Sequence, residues 1–377
     1  SDSKGGNFVF VLLSSVIIEI HFKSFEFVLL IKVLKYKKMD KMHETLRDFA
    51  KHYTDYIPEI PVLQHVPSAC EFFSHYVIPN KPFAISCPEN HLPAVSRWKK
   101  TFYLEDKLFY MWPTTCVIPI HRPYPIVYER FMEPEIRKMQ CYDILLEMER
   151  KWQRTEYYYV KQPNNLEEFS PIADDIRADV PWATEALGKG PIAANLSMGN
   201  ADNFTTLHKD EYDNFFYVLR GSREFKLIPP IARFCIPSKR YKKFQWVKSK
   251  TEDEFEAKDL NEEIDFIPSE IVPETLEKNG FYRNIKSYVV KIQPGEALYI
   301  PAHWYHEYHQ SDDCFTLNYW YDIKWDLKIP FFTFLSKLFE VKKPSMFKDV
   351  AVDTQTELEK SLIKDTADEL FKMRTKS

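Results

Sequence analysis

Short runs of apolar residues, each closed by turn-forming residues, fill the chain between 205 and 330. "FFYVL" and "EFKLI" flank "RGSR", which predicts two strands and a hairpin-like turn. "SYVVKIQPGEALYIP" predicts a strand broken at Pro294–Gly295, and "CFTLNYWYD" another. The polar stretch 238–280, basic at "KRYKK" and acidic at "EDEFEAKDLNEEID", reads as a solvated loop of balanced charge. Further upstream, "DKMHETLRDFAKHYTDY" places Leu46, Phe49 and Tyr53 at helical spacing. Residues 60–130 read as short strands and turns with proline at many boundaries. "EPEIRKMQCYDILLEMERKWQ" predicts a helix with Ile136, Met139, Tyr142, Ile144 and Leu145 near one face, and "EYYYVKQ" a strand. Helices are expected after 326, in "LKIPFFTFLSKLF" and "TELEKSLIKDTADELFKM". The pattern as a whole is mainly β with flanking helices.

The first 40 residues are strongly apolar but carry Glu19, His21, Lys23 and Glu26. The apolar run at 8–18 is shorter than the roughly 20 residues a membrane-spanning helix needs, and a clean small-residue cleavage site is missing. With Ser at position 1 and Met39 and Met42 downstream, this segment reads as an extraneous or poorly defined leader, and no membrane partner is expected.

Composition narrows the function classes. A hydrophobic fraction of 45% and an aromatic fraction of 16% in 377 residues provide for a substantial core. A net charge of −4 does not equip the chain to neutralise nucleic-acid phosphates, so no direct nucleic-acid partner is expected. Neither GxGxxG nor GxxxxGK[ST] occurs, which removes the Rossmann and P-loop readings. Cys70, Cys87, Cys116, Cys141, Cys235 and Cys314 are scattered, with no CxxC pair. That argues against a zinc ribbon or a disulfide scaffold and for reduced thiols in a cytoplasmic or nuclear protein.

The chemistry-bearing residues sit in two stretches. In "TTLHKDEYDNFFYVLRG", His208 and Asp210 are two apart, so a strand presents both on one face while Lys209 points away. One His, one carboxylate and a second His make the facial triad of non-haem Fe(II) oxygenases, which leaves coordination positions open. The stretch "PGEALYIPAHWYHEYHQ" offers His303, His306 and His309. Pro294, Gly295 and Pro301 exclude a helix there, and on a strand a spacing of three alternates faces, so the three cannot converge. A face holding Trp304, His306 and Tyr308 would set one imidazole between two aromatics.

"HKD" followed by "NFF", a glycine turn and "IPP", then "PGEALYIPAHWYH" and "LNYWYD", resembles the jumonji-C (JmjC) branch of the 2-oxoglutarate oxygenases. "DVPWATEALGKGPIAANLSMGNADNFTTLHKDEYDN" is similar to the small family of jumonji domain-containing protein 7, described as lysyl hydroxylases with a peptidase activity also ascribed. The likeness runs from about 45 to 335. It implies a double-stranded β-helix, the cupin-like jelly roll. The division that follows is 1–40 leader, 41–160 an N-terminal α/β part packing on the barrel, 161–325 the barrel core and 326–377 C-terminal helices.

The resemblance selects His306 as the third iron ligand and implies Fe(II), 2-oxoglutarate as co-substrate and O2. It places the cation for the distal carboxylate of 2-oxoglutarate fifteen residues after His208, at Arg223, where the family usually has Lys; that exchange is not conservative. Thr205 matches a hydroxyl contact and Tyr158 a phenol contact, with Tyr157 or Tyr159 taking its place if the register differs by one. Asn214 and Asn318 match polar pocket positions, and Trp320 an aromatic near the site. The implied activity is hydroxylation of a lysine on a protein substrate, with a translation-associated GTPase as the class of partner. Glu211 and Asp213 are candidate acids at the mouth. Histone lysine demethylation, peptidase action and a catalytically silent scaffold are the alternatives, and the C-terminal helices either pair two chains or pack on their own barrel.

Overall fold

A computed structural model describes residues 41–323, except 42–43, 46–47, 88–91, 122–124, 150–154, 161–164, 201–204, 235, 237, 250–253, 269–284 and 312. The leader and the helices expected after 326 lie outside the described residues.

Eight strands build the barrel: β1 (Ala193–Gly199), β2 (Thr205–Lys209), β3 (Asp213–Arg220), β4 (Arg223–Ile228), β5 (Tyr288–Ile292), β6 (Ala297–Ile300), β7 (Tyr305–Gln310) and β8 (Cys314–Tyr321). In one sheet β6, β3, β8 and β1 are neighbours; in the facing sheet the order is β5, β4, β7, β2. This is a jelly roll, with mainly antiparallel strands in two opposed sheets. The first sheet is extended past β6 by Phe83–Ile85 and Val62–Leu63. Past β1 it is extended by Glu156–Val160, Thr114–Pro119 and Glu135–Lys138.

The residues of β3 show why the barrel holds. Phe216 and Val218 point inward, where they join Phe225, Leu227, Trp304 and Tyr308 between the sheets. Phe215, Tyr217 and Leu219 point outward into a second core with Phe72, Trp98 and Leu104 from the covering helices. A strand buried on both faces loses polar alternation, which is why "FFYVL" is a continuous apolar run.

Four elements differ from the sequence expectation. The turn at "RGSR" is not a hairpin: β3 and β4 share no ladder and lie in opposite sheets. Local composition predicts a turn but cannot say which sheet the next strand joins. Gly221 makes the corner at φ +76°, where a Cβ would stand 2.7 Å from Ser311 Oγ and 2.9 Å from the Cα of Cys314. Residues 60–130 contain helices as well as strands, at Ala69–Phe72 running into Phe73–Val77, Pro93–Arg97 and Thr101–Leu108. They are too short to develop a helical period, and tertiary burial of Phe72, Trp98, Leu104 and Leu108 sustains them. The helix expected from "EPEIRKMQ" onward begins only at Cys141 and ends at Glu149, burying Cys141, Ile144, Leu145 and Met148. Glu135–Lys138 is instead an edge strand with Ile136 exposed. The stretch 238–280 is not a solvated loop where it is described: Lys239–Lys248 and Phe255–Phe266 form a long antiparallel hairpin. Its polarity comes from cross-strand charge pairs, the exposed Arg240–Asp265 and the half-buried Lys243 with Glu262 among them, while Trp246 is buried beside Ile118, Met132 and Tyr157.

The helix near the N-terminus and the strand at "EYYYV" form as expected, the former helical through 48–56 with Tyr53 against the barrel core. No helix of the described residues is long and apolar enough to cross a membrane.

Candidate metal centre

β2 and β7 pair antiparallel with His208 directly opposite His306, and their ring centroids are 4.3 Å apart. Asp210 follows the last residue of β2, with Oδ1 3.9 Å from His208 Nε2 and Oδ2 3.7 Å from His306 Nε2. All three donor atoms lie within 4.8 Å of one another. Two donors each about 2.1 Å from one ion stand roughly 3–4 Å apart, so the spacing suits a shared cation. The imidazoles are already oriented for it. His208 Nδ1 lies 2.8 Å from the Thr206 carbonyl and His306 Nδ1 3.1 Å from that of Trp304. A carbonyl only accepts, so each Nδ1 holds the proton and each Nε2 turns its lone pair to the centre. His306 is buried, whereas the His208 and Asp210 side chains are 26% and 22% exposed, so the cluster opens to one side.

The other two histidines go elsewhere. His309 is on the exposed face of β7. His303 sits in the turn before β7 at φ +68°, its Nδ1 3.0 Å from Glu211 Oε2. Hydrogen bonding to His303, then to Lys209, outweighs partial burial and draws the Glu211 carboxyl down to about 2.

Inward from the triad lies a cavity of about 230 Å³ lined by Asn195, Ser197, Phe216, Arg223, Tyr308, Asn318 and Trp320 together with the triad. Arg223 is buried at 1% exposure. Its Nη2 donates to Gln310 Oε1 at 2.9 Å and to Ser197 Oγ at 3.3 Å, and its guanidinium carbon stands 4.2 Å from the Tyr308 ring centre. It forms no ion pair among the described residues, and its buried Nε has no hydrogen-bond partner there. A buried cation whose described partners are all neutral is costly, and the position suits an anionic ligand.

Of the remaining residues singled out in the sequence, Trp320 lines the cavity and stacks on Tyr212 at 5.7 Å and 11°. Thr205 stands opposite Tyr308; an irregularity between β2 and β7 lets Thr205 and His208, three apart, both meet inward residues of β7. Asn318 lines the cavity, and Asn214 donates to Asp210 Oδ2 at 3.0 Å. Tyr158 is placed differently from expectation. It shares a face with Glu156 and donates to Glu156 Oε2 at 2.6 Å; the opposite face of that strand carries Tyr157 and Tyr159, opposite Ile118 and Cys116. A slip of one residue exchanges strand faces: Tyr159 stands opposite Gly199, on the face of β1 that turns Ser197 into the cavity, while Tyr157 packs with Ile118 and Trp246, so Tyr159 is the phenol on the inward side. Asp213 is also corrected: it is buried, and its Oδ1 accepts the Ala302 N–H at 2.8 Å, so of the two candidate acids only Glu211 is at the mouth. Ser197, Asn195 and Gln310 were not singled out. The signal for the first two was available, as two polar residues spaced by two in the otherwise apolar "AANLSMG".

Residues 69–326 match the model of the cupin-like domain family. This chain belongs to the cupin-like JmjC family of 2-oxoglutarate oxygenases. It is 32% identical over 283 residues to the human "Bifunctional peptidase and (3S)-lysyl hydroxylase JMJD7", covering 74% of this chain and 89% of that protein. To the "Lysine-specific demethylase JMJ32" of Arabidopsis thaliana it is 29% identical over 294 residues, 72% of this chain and 84% of that one. To "JmjC domain-containing protein E" of Dictyostelium discoideum it is 26% identical over 311 residues, 74% and 88% of the two chains. JmjC proteins generally use Fe(II) and 2-oxoglutarate. Both fit the residues present: two imidazoles and a carboxylate converge for the metal, and Arg223 supplies a buried cation, with no ion pair among the described residues, for a diacid.

Proposed function

We propose that the protein is an Fe(II)- and 2-oxoglutarate-dependent protein hydroxylase acting on a lysyl side chain. The observation that carries this reading is the meeting, in one cavity, of His208, Asp210 and His306 with the buried Arg223, which has no ion pair among the described residues. His208, Asp210 and His306 would hold the metal. Arg223, braced by Ser197 and Gln310, would take the distal carboxylate of 2-oxoglutarate, with Thr205 and Tyr159 as candidate hydroxyl partners. When bound, the metal with its co-substrate and O2 supplies C–H oxidation, converting 2-oxoglutarate to succinate and CO2 as one oxygen atom enters the substrate. The chain contributes placement and a dry wall of Phe216 and Tyr308.

The lysyl target rests on the name of the human relative and on the mouth. There the stacked Tyr212 and Trp320 offer aromatic faces that suit an aliphatic stem ending in a cation. A translation-associated GTPase is the substrate class carried over by the resemblance. Demethylation is the second reading, favoured by the name of the Arabidopsis relative.

Succinate release with ferrous salt, 2-oxoglutarate and lysine-containing peptides tests the reading, with mass spectrometry of the peptide. Gain of one oxygen atom on an unmodified lysine is expected. Loss of a methyl group from a methyl-lysine peptide without that gain would shift the assignment to demethylation, and peptide scission alone to a peptidase. Asp210→Ala should reduce succinate release to background; unchanged release would sink the metal assignment.

A further inference from the structure

Asp210 differs from the other two members of the triad in how it is supported. His208 and His306 lie within strands, each with Nδ1 on the carbonyl two residues before it. Asp210 lies past the end of β2, outside any ladder. Its carboxylate must be oriented by something else, and three side-chain amides lead to it. Asn214 Nδ2 donates to Asp210 Oδ2 at 3.0 Å, Asn318 Nδ2 to Asn214 Oδ1 at 3.2 Å, and Asn195 Nδ2 to Asn318 Oδ1 at 3.4 Å. The three come from the adjacent strands β3, β8 and β1 and are all buried.

The direction of this chain follows from its end. An ionised carboxylate only accepts, so Asn214 must turn its NH2 toward Asp210. That leaves the Asn214 carbonyl facing Asn318, which must answer with its own NH2, and the same step repeats at Asn195. The Asn214 NH2 also meets the Tyr212 carbonyl at 3.2 Å, so both of its N–H donors are taken by the chain itself. It has no donor left for a co-substrate, which was the role expected of it.

We infer that Asn214, backed by Asn318 and Asn195, is a positioning residue for Asp210, a relay of amides that sets the plane in which the carboxylate meets the metal. The inference rests on the reading that the triad holds a divalent cation.

The test is Co(II) titration of the full chain without 2-oxoglutarate, following affinity and the visible absorption of the bound ion. 2-Oxoglutarate binding to the Co(II) form is measured separately. Asn214→Ala should weaken Co(II) binding by about 10- to 100-fold and alter the absorption band. Asn318→Asp is the sharper variant. It touches neither metal nor Asp210, yet it cannot donate, so it turns the Asn214 amide over and aims a carbonyl at Asp210. It should weaken Co(II) binding as much as Asn214→Ala, although added negative charge alone would tighten it. Asn318→Ala, which removes the backing without turning the amide, should fall between these and wild type. Should Asn214→Ala lose its cooperative melt, the two Asn318 variants carry the comparison. Asn318→Asp with wild-type or tighter Co(II) binding and an unchanged band, losing only 2-oxoglutarate affinity, would overturn the relay and return these residues to co-substrate contact. Wild-type protein that takes up no Co(II) would overturn the metal reading itself, and the relay with it.

Discussion

At the scale of single residues, Arg223 decides most. Its charge is buried among Ser197, Gln310 and Tyr308, with no ion pair among the described residues. Such a group should cost stability until an anion arrives. Arg223→Met should therefore melt at or above the wild-type temperature without 2-oxoglutarate. It should lose the stabilisation that 2-oxoglutarate gives the wild type, because about 1.5–3 kcal/mol of charged hydrogen bonding is removed, roughly 10- to 100-fold in affinity. Arg223→Lys should keep part of that affinity, since an ammonium supplies charge but not the fork. Thermal melts with and without 2-oxoglutarate check both; an undiminished shift in the Met variant would show that the diacid binds elsewhere. At this scale the site was partly legible. The spacing of His208 and Asp210 is a strand-face signal readable from sequence. The choice of His306 over His303 and His309 needed the family likeness, and in the structure it reduces to the β2–β7 register, which local composition does not contain. Tyr158 against Tyr159 is the same problem in miniature, and Asp213 was misplaced because nothing local shows that the Ala302 N–H comes to meet it.

At the scale of elements, what composition hid was which half of a polar segment is buried. The hairpin Lys239–Lys248 with Phe255–Phe266 carries charges in cross-strand pairs such as Arg240–Asp265 and Lys243–Glu262, so its net pattern looks like a loop. Its attachment to the body of the molecule runs through Trp246, packed on Ile118, Met132 and Tyr157, and through parallel pairing of Lys242–Gln245 with Arg130–Glu133. Trp246→Ala should cost about 3–5 kcal/mol of unfolding free energy, while Arg240→Ala and Asp265→Ala should leave the denaturant midpoint unchanged. Equal effects from all three would mean the hairpin is held by its charges. Gly221 is the complementary case, an element boundary where the residue type is dictated by geometry. Gly221→Ala should cost more than about 1 kcal/mol, read from the same denaturant curves, because both the positive φ and the Ser311 contact oppose a side chain. The strands themselves were legible wherever burial on one or both faces left an apolar run. The corner between β3 and β4 was not, because a turn motif looks the same whether the chain returns to its own sheet or crosses to the facing one.

At the scale of the molecule, one buried carboxylate ties the helical cover together. Asp175, at the end of the segment Leu166–Asp175, accepts from Arg97, from Trp98 Nε1 at 2.8 Å and from the Tyr103 hydroxyl at 2.8 Å. Two of these partners belong to or adjoin helix Pro93–Arg97 and the third to Thr101–Leu108, so three segments meet on two oxygens. Burial by itself would raise the Asp175 pKa; the bonds from Trp98, Arg97 and Tyr103 outweigh it and hold the carboxyl below its ordinary value. A folded-state pKa below the unfolded one, about 3.9, stabilises the native state at neutral pH. That contribution begins to fade as pH falls toward the unfolded value and is gone once pH is below the folded one. Asp175→Asn removes the titrating group and cannot accept on both atoms, so it should be less stable than wild type at pH 7. Its stability should fall less steeply in acid, and the two denaturation midpoints should converge as pH drops from about 5 toward 2. Parallel midpoint curves across that window would mean that the acid sensitivity of the fold arises at other carboxylates, of which buried Glu156, held low by Lys248, Tyr158 and Arg137 against its own burial, is the next to replace.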